Sequence, residues 1–119
     1  MIQHVSLECR RDDAEEHRRF WHALGAHDAR VPDSLADRAA WLQLESAQIH
    51  LLWADEPVVP PQGHVAICVP DLEHALTALS EAGFACEGRQ PHWGAARAYG
   101  HAPGGHIVEL FDTPPQTQS

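Results

Sequence analysis

The chain has 119 residues, a formal net charge of −9, ten histidines, and eight basic residues that are all arginine. That length points to one domain, able to bury roughly 65% of its unfolded surface without staples. An acidic, lysine-free chain offers no stripe for tracking phosphates, so nucleic acid is not an expected partner; Schiff-base and P-loop chemistry are excluded outright.

The opening "MIQHVSLECRR" has no charged segment followed by an apolar one, so no signal peptide is expected. No apolar run approaches the roughly 18 residues needed to span a membrane. A cytoplasmic protein without membrane contact is the expectation. Cys9, Cys68 and Cys86 follow neither a zinc spacing nor an even disulfide framework, and read as reduced core thiols.

"IQHVSLEC" reads as a first strand. In "DDAEEHRRFWHALGA", Asp12 or Asp13 can cap a helix, Glu15 and Glu16 suit its first turn, and Gly25 suits its end. Phe20, Trp21 and Leu24 form its apolar face, which leaves His17 and His22 to solvent. "HDARV" is a second strand, "VPDSLADR" a loop, "AAWLQLE" a third strand, and "QIHLLW" a fourth after a tight Ser46–Ala47 turn. "ADEPVVPPQG", with three prolines, is a connector. The order then returns. "GHVAICV" is a strand, and "PDLEHALTALSEAG" is a helix with a Leu72, Leu76 and Leu79 stripe. "FACEG", "ARAYGH" and "HIVELFD" are strands, the last after an "APGG" turn. The tail, 114–119, is expected to be disordered.

The chain is thus βαβββ twice: module one over 1–54, a linker over 55–62, and module two over 63–113. His-Val recurs at the same place in both first strands, in "QHVSLEC" and "GHVAICV". From His4 to His50 is 46 residues, and from His64 to Glu109 is 45. Aligning the last strands, "QIHLLW" over "IVELFD", sets His50 on Glu109.

Strand parity decides which side chains share a face. His4 falls with Ser6 and Glu8, opposite Val5, Leu7 and Cys9. His64 falls with Ala66 and Cys68, opposite Val65, Ile67 and Val69. His50 opposes Ile49 and Leu51, and Glu109 opposes Val108 and Leu110. Each half therefore has an apolar side for its helix and, on the other side, a strong donor on its first and last strands. Imidazole and carboxylate together suit a divalent ion such as Zn, Fe, Mn, Ni or Co. The plain alternative is unrelated polar residues at solvated strand ends, with His50 a hydrogen-bonded cavity histidine.

The stretches "IQHVSL", "LGA", "GHVAICVPDLEHALTALSEAGF" and "APGGHIVELFD" resemble the glyoxalase / bleomycin-resistance / extradiol-dioxygenase superfamily, the vicinal oxygen chelate proteins, over nearly the whole chain. The resemblance implies an α+β fold: two βαβββ modules forming a curved mixed sheet around a cup, with the helices outside. It places His4, His64 and Glu109 at metal-ligand positions, and His50 at a fourth that some members leave empty. It implies one divalent metal ion, a small-molecule substrate bound through adjacent oxygens, and a homodimer. Isomerase, lyase and dioxygenase chemistry all remain open, with Glu109 the carboxylate best placed to move a proton. A metal-independent protein that sequesters a small molecule or antibiotic is the alternative.

There are departures. "HAPGG" lacks the aspartate common before the last strand, and "TPPQTQS" lacks the basic residues of fosfomycin-inactivating thiol transferases. Arg97, Tyr99, Trp41 and Cys68 are candidate substrate-binding residues, with aligned halves putting Arg97 and Tyr99 over Trp41 and Gln43. For Cys68 a small buried filler is favoured over a pocket nucleophile, and for Trp41 a plain core role.

Overall fold

A computed structural model of the chain describes residues 1–117. The first half runs β1 (His4–Cys9), α1 (Ala14–Ala23), β2 (His27–Ala29), β3 (Ala39–Leu44) and β4 (Ala47–Trp53). The second runs β5 (Val65–Cys68), α2 (Leu72–Glu81), β6 (Cys86–Arg89), β7 (Arg97–His101) and β8 (Ile107–Phe111). Each half builds a four-stranded sheet, in the orders β1-β4-β3-β2 and β5-β8-β7-β6. β1 lies parallel to β4 and β5 parallel to β8, while the other pairs are antiparallel. Parallel neighbours need a long crossover, which each helix and its two following strands supply. The sheets are separate, with β1 and β5 as unjoined edges. Residues 114–117 form no helix or strand; the rest of the expected tail lies outside the described residues.

Local chemistry explains most boundaries. Asp71 caps α2, its Oδ1 accepting from the His74 N–H at 3.1 Å. Asp13 stands at the start of α1 but makes no side-chain cap bond. A 3-10 turn over Arg11–Asp13 leads into α1 and gives Asp13 φ −95° and ψ 8°, rather than the extended backbone a capping side chain needs. The β3–β4 turn is Glu45–Ser46 and not Ser46–Ala47, because Leu44 pairs with Ala47 and Glu45 adopts the left-handed φ of 53°.

One core serves both halves. Phe20 and Trp21 of α1, Leu42 and Leu51 of the first sheet, and Leu79 and Leu110 of the second half are all completely or almost completely buried. Side chains of this size each contribute about 1.5–3 kcal/mol through burial. Phe20 meets Phe84 edge-on, with ring centroids 5.2 Å apart, so α1 packs onto the second half. Gly100 on β7 permits this approach: a Cβ there would lie 3.1 Å from Leu79 Cδ1 and 3.4 Å from Phe20 Cζ.

Two further expectations are corrected. His17 is not solvated but 1% exposed. It precedes Phe20 and Trp21 by three and four residues, which puts it on the same buried stripe. Its ring meets His106 edge-on at 6.2 Å, and the His106 Nε2–H donates to the Glu8 carbonyl at 2.7 Å, tying the second half to β1. His17 Nδ1 and Trp21 Nε1 have no partner among the protein groups. Burial, reinforced by His106 and opposed by Asp13, pushes the His17 imidazole down to about 4.

The thiols differ as well. All three are free, but only Cys9 is buried; burial and then Asp13 push it up to about 11. Cys68 is exposed and not a buried filler, because β5 is an edge strand and Cys68 points away from the core.

Candidate functional site

The donors sit where parity puts them, on the sheet faces opposite the core. In the second sheet, β8 lies between β5 and β7, and Glu109 lies opposite Ala66 on one side and Tyr99 on the other. His64 immediately precedes β5. Its Nδ1–H donates to the Gln62 carbonyl at 2.8 Å, and its Nε2 lies 2.8 Å from Glu109 Oε1. With Nδ1 committed as a donor, a neutral His64 would turn a lone pair on the carboxylate. Two acceptors that close need a proton or a cation between them. The backbone bond to Gln62 and the bond to Glu109 raise the His64 imidazole above its ordinary value, partly offset by burial.

The other carboxylate oxygen, Oε2, accepts from Arg97 NH1 at 3.3 Å. Arg97 in turn donates from Nε to the Gln90 carbonyl at 2.7 Å, and its guanidinium carbon stands 5.6 Å from the Tyr99 ring centroid. Arg89 covers the same ring at 4.6 Å. Arg97 and Glu109 are both buried, so each depends on the other's charge.

The first sheet answers with aromatic rings. His50 on β4 is buried between His4 and Trp41, stacked on each with centroids 4.0 Å apart. A chain of amides assigns its proton. Gln43 Nε2 donates to the Glu45 and Ala47 carbonyls at 2.8 and 3.2 Å, so Gln43 Oε1 must accept. It accepts from Gln48 Nε2 at 2.9 Å, which leaves Gln48 Oε1 to accept from His50 Nε2–H at 2.8 Å. The free lone pair of neutral His50 is therefore on Nδ1. Burial and then His4 hold this imidazole below its ordinary value.

Trp41 lies opposite His50 as Tyr99 lies opposite Glu109, so Tyr99, not Arg97, is the structural counterpart of Trp41. The expected alignment is therefore two residues out, and the strand register, not the residue count, sets the pairing. The sequence alone does not point to the glutamine chain or to Arg89. Gln48 shares a face with His50 and pairs with Gln43, so parity held that signal once the turn was placed correctly.

The four expected donors thus form two pairs, His4 with His50 and His64 with Glu109. Among the described residues no three His, Cys, Asp or Glu side chains converge as a metal site within one chain. The second pair sets an imidazole nitrogen and a carboxylate oxygen at hydrogen-bond distance, donor types that a divalent ion also takes, and Gln62 orients the imidazole as an outer partner does. A cleft of about 760 Å³ opens between the free edges of β1 and β5, lined by His4, Val5, Ile49, His64, Ile67 and Cys68 among others. Trp41, Arg97, Tyr99, His50 and Glu109 do not line it.

No family model matches the sequence, and no curated protein does. Solved structures do match. One from Bacillus anthracis, described as a glyoxalase family protein, superposes with a TM-score of 0.83 at 21% identity, covering 92% of each chain. The glyoxalase family protein from Enterococcus faecalis gives 0.73 at 23%, over 93% of this chain and 96% of its own. The fosfomycin resistance protein FosX from Mesorhizobium loti gives 0.72 at 14%, over 96% and 92%. The chain shares its fold with these glyoxalase family proteins and with FosX. No helix among the described residues is long and apolar enough to cross a membrane.

Proposed function

We propose that this protein is a glyoxalase-like, metal-dependent enzyme acting on a small substrate that presents adjacent oxygen atoms. The observation that carries this reading is His64 Nε2 set 2.8 Å from Glu109 Oε1 with the outer nitrogen of the ring already held by Gln62. A divalent ion bound there, whether Zn, Fe, Mn, Ni or Co, would supply Lewis acidity toward the substrate oxygens. His64 and Glu109 would be its ligands, and Glu109 is the carboxylate best placed to take a proton where the reaction moves one. His4 and His50 are assigned to the same centre from a second copy of the chain, since one chain keeps the two pairs apart. The functional unit in this reading is a homodimer. Trp41, Tyr99 and Cys68 offer the partly or fully exposed surface beside the donors, and Arg97 reaches the substrate only through Glu109.

The test is the metal content of protein purified without chelator or tag, set beside the His64→Ala, Glu109→Ala double variant. The wild type should carry a divalent ion that the double variant lacks, and equal content in both overturns the assignment. Light scattering should give the mass of two chains. A metal-independent sequestering protein is the second reading, favoured by the largely apolar cleft between β1 and β5. It predicts small-molecule binding that survives complete chelation.

A further inference from the structure

We propose that Arg97 is the positioning residue of Glu109: it holds Oε2 so that the carboxylate acts through Oε1 alone, as a one-point donor aimed at the His64 side. The sequence suggests a substrate contact for Arg97, but the side chain is only 7% exposed and its donors turn inward. Three contacts fix the guanidinium. Nε donates to the Gln90 carbonyl at 2.7 Å, NH1 donates to Glu109 Oε2 at 3.3 Å, and Cζ stands over the Tyr99 ring, 5.6 Å from its centroid. Arg97 is not the direct cross-strand neighbour of Glu109; Tyr99 is, and Arg97 pairs with Phe111. It reaches Glu109 along the diagonal, a distance that a long side chain spans and a short one does not.

An unrestrained carboxylate rotates about its last bond and can grip a cation with both oxygens. With Oε2 held by one N–H of an anchored guanidinium, that rotation is restrained, and Oε1 stays where His64 Nε2 can share whatever lies between them. Arginine suits the task because its planar donors hold a carbonyl and a carboxylate in one fixed geometry, whereas a lysine ammonium rotates at the end of a flexible stem. Supports of this kind behind a metal ligand typically matter by 10–100-fold in affinity.

Only the last step of this inference rests on the metal reading, so the experiment has two arms. In metal-free protein labelled with ¹⁵N-histidine, the His64 ring signals are compared in wild type, Arg97→Met, Arg97→Lys and Glu109→Gln. Arg97→Met should move them toward the Glu109→Gln values, and Arg97→Lys should move them part of the way. Wild-type His64 signals in either folded Arg97 variant overturn the proposal, and Arg97→Lys decides it if Arg97→Met fails to fold. In the second arm, Co(II) titration should show about 10–100-fold weaker binding for Arg97→Met than for wild type. If the ring signals move as expected while no protein binds cobalt, the metal reading falls and the positioning role of Arg97 stands.

Discussion

Acid should unfold this protein partly through one residue, His17. Its imidazole is 1% exposed and sits between Asp13, His106 and the Phe20–Trp21 stripe. Its value falls from 6.5 to about 4 in the folded chain, chiefly because burial disfavours the charged form. The sign follows directly. The unfolded chain binds the proton first as pH falls, so the stabilisation is complete above about 6.5 and disappears as pH drops toward 4. The depression is worth about 3 kcal/mol in full, of which about 2.5 kcal/mol is gone by pH 4.5.

Urea denaturation of wild type and His17→Leu at pH 7.5, 6.0 and 4.5 isolates the effect, because every other titrating group stays in both. At pH 7.5 the variant should match or exceed wild type, since it removes the unpartnered Nδ1. Between pH 7.5 and 4.5 wild type should lose about 2.5 kcal/mol more than the variant, a midpoint difference of ~1–3 M urea. Parallel stability curves for the two proteins would refute the argument.

Two further outcomes test the packing. Gly100→Ala should destabilise by about 1–3 kcal/mol, read as a lower melting temperature, because the added Cβ meets Leu79 Cδ1 at 3.1 Å from one helix and Phe20 Cζ at 3.4 Å from the other. Asp71→Ala should cost about 1 kcal/mol, or ~4 °C of melting temperature, by releasing the His74 N–H. Asp13→Ala should cost less, since Asp13 makes no cap bond.

Strand faces were readable without coordinates because the side-chain period of two is a local property. Val108 and Leu110 are buried beneath Glu109, and Ile49 and Leu51 beneath His50, as alternation required. His17 lies outside the reach of such local reasoning. Its place on the Phe20–Trp21 stripe is local, but its burial comes from the second half of the chain, which closes on α1 through His106 and Phe84. The offset of Arg97 and Tyr99 shows the same limit, since cross-strand register is set by the pairing of β7 with β8 and not by position along one strand.

By itself the sequence determined the βαβββ repeat, the order of elements, and the face on which each donor stands. Hydrophobic period, turn residues and spacing act over a few neighbours, and those are present in any one stretch of chain. Only the tertiary structure decided which donors meet. The angle and distance between two sheets depend on contacts between residues dozens of positions apart, and so did the division into His4 with His50 and His64 with Glu109. The same holds for Arg97, whose inward turn toward Glu109 needs the Gln90 carbonyl and the Tyr99 ring in place together.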